Sequence, residues 1–318
     1  MRPNFMKGNY GVFIHYLTKS TVTAEEWNER TAAFDAETLA KQLHDIGAKW
    51  IFLTLGQTSG HFPAPNATYD SIAKVTPSKC SKRDIVSDLY DALEPYGIRL
   101  CLYMPSEGCN CPNFEWKYGR NKETGEYTGL RLKEFQIKWE SVIREWSLRW
   151  GKKISAWWVD SCYFADQMYN FDDAPNFHSF AAALRAGNED ALLAFNPGVL
   201  LPVESITDED DYTAGELSTF LPTGFDRFPI EIKLKTGNVP VQKLENIQFQ
   251  LLCSLGRDWG HLSTNKEPRF PDALPAAYTR YILDMGGAMT WEVPCKYDGT
   301  IYEPFIRQLS LVKQEMQK

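Results

Sequence analysis

The chain has 318 residues, 43% hydrophobic and 24% charged, enough apolar material to bury one large core. A formal charge of −7, with no basic stripe interleaved with aromatics, excludes a general binder of phosphate backbones, so nucleic acid is not an expected partner. No apolar run is long enough to span a bilayer, so no membrane partner is expected. The opening MRPNFMKGNYGVFIHY lacks the apolar core and cleavage site of a secretory signal. As written the sequence implies a cytoplasmic protein, and a periplasmic or secreted one if a leader peptide has been removed.

In chain order, YGVFIHY (10–16) reads as a strand, and FDAETLAKQLHDIG as a helix with Leu39, Leu43 and Ile46 at helical spacing and Gly47 as its stop. WIFLTLG (50–56) is the next strand. SKRDIVSDLYDALEPYG is the next helix, opened by a Ser81-x-x-Asp84 cap, with Ile85, Val86, Leu89 and Leu93 on one face. IRLCLYMPS (98–106) is a third strand, followed by a long helix ending near Gly151. ISAWWVD (154–160) is a fourth, followed by a helix around NFHSFAAALRAG and a fifth strand, ALLAFNPG. A sixth strand is expected near 212–218, inside an extended polar loop region. Beyond it the pattern predicts a helix over LENIQFQLLCSLG, a short strand about DWGHLST, a helix over DALPAAYTRYILDMGG, a strand AMTWEVP and a closing amphipathic helix.

Strands alternating with helices predict an α/β fold with a parallel sheet, and eight such units in one domain spanning 1–318 suit a single (β/α)8 TIM-type barrel. No G-x-G-x-x-G follows the first strand, so a dinucleotide fold lacks its usual signature. Seven cysteines in no paired pattern predict mostly free thiols, and the Cys109–Cys111 C-x-C lacks the partners a zinc site needs. The NAT sequon at 66–68 is short enough to arise by chance.

A barrel of this kind carries its chemistry at the C-terminal ends of its strands. The polar residues expected there are His15, Tyr16, Gln57, Thr58, His61, Glu107, Asp160, Asn196, Glu216, His261 and Glu292. Carboxylates dominate that set, and Trp157, Trp158, Trp259 and Trp291 could give sugar C–H groups an apolar face to pack on. Two carboxylates amid aromatics are what glycoside hydrolysis requires. Other readings compete. Adjacent tryptophans on a strand point to opposite faces, so one of Trp157 and Trp158 belongs to the core. Asp160 could cap a helix, His15 could be a hydrogen-bonded core histidine, Glu216 could be a solvated loop acid, and Glu292 could make a structural ion pair. His44 and His178 read as helix surface. A metal-dependent hydrolase would need His15, His61, His261 and an acid to converge, and the scattered spacing predicts no metal and no cofactor.

Several stretches resemble the α-L-fucosidases of glycoside hydrolase family 29. YGVFIHY is similar to their F-G-[IL]-F-[IV]-H-W-G, and LAKQLHDIGAKWIFLTLGQTSGHF to the segment in which A-G-A-K-Y leads to T-x-K-H-H-D-G-F. RDIVSDLYDALEPYGIRLCLYMPS resembles D-x-V-x-x-L…G-L-x-F-G-x-Y-x-S. AWWVDS falls on their strand-four W-x-D-G, DDYTAGE on G-D-[YF]-x-T-P-E, and LDMGGAMTWEVPCKYDGTIYEP on V-S-x-G-G-N-L-L-L-N-x-x-P-x-x-D-G-x-I. The resemblance implies that Asp160 is the nucleophile, that His15 binds a sugar hydroxyl, and that Glu216 leads the acid/base candidates. It also marks departures. Gln57 and Thr58 stand where the family has paired histidines, Ser161 where it has a glycine, Asn196-Pro197-Gly198 where N-D-R is common, and no C-terminal β-sandwich follows the last barrel helix.

The resulting expectation is a retaining exo-glycosidase acting on a carbohydrate with an altered sugar pocket. Asp160 and Glu216 are catalytic in this reading, while His15, Tyr16, Gln57, Thr58, His61, Glu107, Trp158, Asn196, Trp259, His261, Trp291 and Glu292 bind the substrate. The contrasting expectation is a carbohydrate-binding barrel without hydrolysis. Either could pair as a homo-oligomer to complete its pocket.

Overall fold

The strand candidates are nearly continuous apolar runs, the pattern of strands covered on both faces. A computed structural model describes residues 4–57, 59–106, 111–114, 131–162, 169–200, 203–217, 220–224, 247–260 and 266–318. Every residue of β1 (Tyr10–Ile14), β2 (Trp50–Thr54), β5 (Leu192–Phe195), β7 (Gln250–Ser254) and β8 (Ala288–Val293) is buried. With β3 (Arg99–Pro105), β4 (Ile154–Asp160) and the two-residue β6 (Glu216–Leu217) they form one curled eight-stranded parallel sheet. Its order is β5-β4-β3-β2-β1-β8-β7-β6, so sequence neighbours are spatial neighbours and the last strand pairs with the first.

The side-chain period of two divides the core into two layers. Val12, Ile14, Ile51, Leu53, Leu100, Leu102, Trp157 and Trp291 face the helices, whereas Phe13, Phe52, Cys101, Tyr103 and Trp158 fill the concave side. The two tryptophans of β4 therefore do point to opposite faces. The helices of the outer layer are α1 (Ala24–Ala32), α2 (Ala36–Ile46), α3 (Ala67–Ala73), α4 (Ile85–Leu93), α5 (Lys133–Trp150), α6 (Phe177–Leu184), α7 (Ala273–Asp284) and α8 (Glu303–Met316).

Three sequence expectations need correction. The stretch 244–256, read as a helix, contains β7, and residues 258–260 lie in the loop beyond it. Leu251, Cys253 and Leu255 face outward and Leu252 inward, a period of two that the surrounding apolar residues masked. The cap of α4 is Asp84, which accepts the Ser87 N–H at 3.1 Å, while Ser81 donates to the Arg83 carbonyl. The connections after β1 and β2 also contain helices, α1 and α3, and Asn66 of the sequon is the cap of α3. Its amide is buried and bonded to the Val142 carbonyl, so it is closed to glycosylation. Cys80, Cys101, Cys162, Cys253 and Cys295 are free thiols; Cys111 is disulfide-bonded, and Cys109 lies outside the described residues.

The ladder ends at β5 and β6, and side chains stitch the gap between them. The Asp211 N–H donates to the Leu193 carbonyl at 2.8 Å, and the Leu193 N–H donates back to Asp211 Oδ2 at 2.9 Å. The Phe195 N–H donates to Asp210 Oδ1 at 2.7 Å. Arg185 clamps Asp211 and Glu209 at 2.7 and 2.6 Å, and from across the concave side the Trp158 indole N–H reaches the Ala214 carbonyl at 3.1 Å. Two aspartates thus take the place of a neighbouring strand.

Burial raises the Asp210 carboxyl to about 7, against the pull of Ser205 and of the Phe195 and Ile206 N–H groups. An exposed aspartate titrates near 3.9, so between about pH 4 and 7 the folded chain holds a proton that the unfolded chain has lost. The contribution of Asp210 to stability therefore falls as pH rises through that window. Asp210→Asn turns an N–H donor toward the Ile206 N–H, and is expected to cost about 1–3 kcal/mol at about pH 5 and less at about pH 8. Urea unfolding at the two pH values measures both; an equal loss at each would contradict the raised carboxyl.

Candidate active site

Asp160 ends β4, half-buried, with its orientation fixed by three donors. Its Oδ1 accepts the Ser161 N–H at 2.7 Å and the Asn196 amide at 3.0 Å, and its Oδ2 accepts the Tyr103 hydroxyl at 2.5 Å. The backbone leaves Asp160 through Ser161 in the left-handed region, φ +63°. Few side chains other than glycine's adopt that conformation without strain.

The same Asn196 nitrogen donates to Glu216 Oε2 at 2.6 Å. A nitrogen 2.6 Å from one carboxylate oxygen and 3.0 Å from the other holds those oxygens no more than 5.6 Å apart. Burial raises the Glu216 carboxyl to about 7, the charge of Asp160 adds to the rise, and the Asn196 bond opposes it. Gly215 makes this placement possible. Its φ is +59°, and a Cβ there would lie 1.9 Å from the Gln250 carbonyl oxygen, so the chain entering β6 passes β7 too closely for any side chain.

Tyr103 joins this pair to the rest of the mouth. Its ring stacks on Trp158 at 5.4 Å and its hydroxyl, while donating to Asp160, accepts the Gln57 amide at 2.9 Å. The His15 ring lies 5.8 Å from Tyr103 and 5.6 Å from the half-buried Trp259. Behind His15, Glu292 is fully buried at the end of β8.

Asp160, Glu216, Asn196, Gln57, His15, Trp259 and Glu292 thus come together. Other sequence candidates do not. Tyr16 packs between Trp27 and Phe34 in the outer layer, with its hydroxyl on the Arg30 carbonyl at 2.9 Å. Trp291 faces the helices, its indole N–H on Thr279 at 2.8 Å. Trp158, 2% exposed, is the floor beneath Tyr103 and offers no open face for a sugar. His61 is buried against Trp27, and burial, helped by the charge of Lys79, lowers it to about 4, so the ring is neutral at physiological pH. Thr58, Glu107 and His261 lie outside the described residues. Among the described residues no group of three or more His, Cys, Asp or Glu could hold a metal ion.

The sequence reading passed over Tyr103 and Ser254. Both were legible in principle, because alternation in β3 puts Tyr103 on the same face as Cys101, and Ser254 is the last residue of β7.

A family model described as "Alpha-L-fucosidase" matches residues 2–192. No curated protein matches the chain. Among solved structures it is similar to the endo-fucoidan hydrolase MfFcnA4 of glycoside hydrolase family 107, 17% identical with a TM-score of 0.71, over 97% of this chain and 52% of that one. It is similar to the endo-fucoidan hydrolase P5AFcnA of the same family, 14% identical with a TM-score of 0.71, over 99% and 92%. It also resembles alpha-L-fucosidase isoenzyme 1 from Paenibacillus thiaminolyticus, 14% identical with a TM-score of 0.64, over 98% and 74%. The chain spans 52% and 62% of the length of two of the family 107 structures. At these identities the likeness is one of fold.

The strained turn after Asp160 can be tested directly. Replacing a left-handed serine by glycine removes about 1–2 kcal/mol of strain and adds about 0.5–1 kcal/mol of backbone entropy loss on folding. Ser161→Gly is therefore expected to leave stability equal or raise it by up to about 1 kcal/mol in urea unfolding; a clear destabilisation would argue against the left-handed turn.

Proposed function

The chain belongs to the alpha-L-fucosidase family, and on that premise we propose that it is a retaining exo-glycosidase, releasing a terminal sugar by double displacement from a closed (β/α)8 barrel. The observation that carries this reading is the shared Asn196 amide, which keeps the facing oxygens of Asp160 and Glu216 within 5.6 Å. Retaining enzymes hold their carboxyl groups roughly 5–5.5 Å apart, and inverting ones about 6.5–9.5 Å, to admit a water between them. The cross-gap bonds from Asp211 and Tyr212 to Leu193 support closure of the barrel.

In the first step an Asp160 oxygen attacks the anomeric carbon. The bond to the leaving oxygen breaks, and that oxygen takes the Glu216 proton. In the second, water attacks the same carbon, the now ionised Glu216 accepts its proton, and the bond to Asp160 breaks. Glu216 suits the first role because its burial and the nearby Asp160 charge keep its proton on up to about pH 7. Tyr103 orients the attacking carboxylate, and Gln57 orients Tyr103. Gln57, where the resemblance expects a histidine, gives the sugar a different donor and acceptor set. A site built on hydrogen bonds discriminates strongly between hydroxyl patterns, so the preferred sugar need not be L-fucose.

Release of aryl from α-L-fucoside, α- and β-galactosides, β-D-fucoside, α-L-rhamnoside and arabinosides tests the proposal. Asp160→Ala is expected to lower turnover at least about 10³-fold, and Glu216→Gln about 10²- to 10⁴-fold. Wild-type kcat/KM should fall as pH rises through about 7, where Glu216 loses its proton, and Glu216→Gln should lack that limb. Tyr103→Phe is expected to cost about 10- to 100-fold, the worth of a hydrogen bond to a charged group. Turnover that survives Asp160→Ala would sink the assignment, and silence of the wild type on every glycoside would favour a binding barrel.

A further inference from the structure

Glu292 was a candidate sugar ligand, but its surroundings give it another task. It is 0% exposed and accepts from three separate segments: His15 just past β1, Ser254 at the end of β7, and Gly260 in the loop that follows. Oε1 takes the His15 Nδ1 contact at 2.9 Å and the Gly260 N–H at 2.6 Å, and Oε2 takes the Ser254 hydroxyl at 2.9 Å. A Cβ on Gly260 would lie 2.7 Å from Glu292 Oε1 and 2.6 Å from Pro294 Cα, so the loop approaches β8 as closely as a glycine permits. The residue before Gly260 is Trp259, whose ring stands 5.6 Å from that of His15.

From this geometry we infer that Glu292 is a positioning residue, which never touches the sugar but sets both halves of one recognition wall: the tautomer of His15 and the seat of Trp259. The Gly260 N–H can only donate, so Oε1 is an acceptor and the proton of the His15 contact sits on Nδ1. In the neutral ring Nε2, on the far edge from Glu292, is then a lone-pair acceptor. Beside it the indole of Trp259 presents an apolar face. An acceptor next to an aromatic face fits a sugar hydroxyl flanked by C–H groups. A sulfate or carboxylate at that position would find no proton on an Nε2 lone pair. The inference rests on the proposed glycosidase reading for its ligand, but its first test does not need activity.

Two-bond ¹H–¹⁵N spectra of the ligand-free protein report the tautomer of His15, whose signals are assigned by their loss in His15→Asn. The Nδ1–H form is expected in the wild type and in Glu292→Gln. In that variant the amide oxygen still accepts from His15 and Gly260, and its nitrogen donates to Ser254, whose own proton can turn to the Asp258 carbonyl at 3.0 Å. On whichever aryl glycoside the wild type cleaves, Glu292→Gln is expected to raise KM about five- to tenfold with kcat within about twofold, because a charge-assisted bond becomes a neutral one. An Nε2–H His15 in the wild type, or an unaltered KM in a folded Glu292→Gln, overturns the inference. A wild type that cleaves no glycoside overturns the catalytic reading instead and leaves the spectra to decide this one.

Discussion

The two carboxylates depend on one amide. Asn196 is fully buried, its N–H donates to the Val159 carbonyl at 2.7 Å, and its own carbonyl accepts the Cys162 N–H at 3.1 Å, so its backbone is locked to β4 on both sides of Asp160. Its side-chain oxygen accepts the Gly198 N–H at 3.1 Å, which leaves the nitrogen with both protons facing acids. No other side chain of this size offers two donors on one atom and an acceptor on the other. An aspartate there would crowd three carboxylates together, and an apolar residue would leave two buried acids facing each other with no donor between them. The spacing of the pair is thus set by the covalent geometry of one planar group.

That amide lies beside the weakest part of the sheet. Asp160 is on β4, Asn196 follows β5, and Glu216 opens β6, a strand of two residues across a gap in the ladder. A regular β6 would need continuous backbone pairing along β5, and the segment carrying Glu216 would have to run in strict register with it. Side-chain stitching by Asp210, Asp211 and Arg185 satisfies the exposed N–H groups of β5 without that constraint. The segment before β6 is then free to turn at Gly215, and Glu216 reaches Asn196. Unpaired buried N–H groups would otherwise cost about 1–3 kcal/mol each, so the buried acids of the seam are the condition on which an irregular but fixed approach to the site can exist.

Much of this was legible in the sequence. Six of the eight strands fall where apolar runs placed them, the short β6 falls within the 212–218 expected inside a polar loop region, and the place of Asp160 was legible from the strand it terminates. β7 was misread because its outward residues and the apolar side chains before it mimic a helical face, a confusion that periodicity cannot resolve for short buried runs. Strand-end reasoning places a residue near a mouth but not which way it points. Tyr16 and Trp291 sit at the right height and face the helices, and the parity of each strand would have been needed to exclude them. Alternation in β3 could place Tyr103 on the concave side, but its role comes from two long-range contacts, to Gln57 and Asp160, that no local pattern encodes.

Three carboxylates meet in this mouth, and their donors separate them. Asp160 has at least three, and Glu292 has three while lying fully buried. Glu216, among the described residues, has one, and faces the charge of Asp160. The several N–H and O–H donors on Asp160 and on Glu292 hold each in one orientation, the geometry suited to approach from a fixed direction or to positioning a neighbour. A buried carboxylate with one donor and an acid beside it is driven to keep its proton, which is what the donor of a proton must do. The fold achieves this division by supply: the N–H groups of Ser161 and Gly260 turn toward Asp160 and Glu292, while Gly215, packed against the carbonyl of Gln250, lets the chain bring Glu216 in with Asn196 as its donor among the described residues.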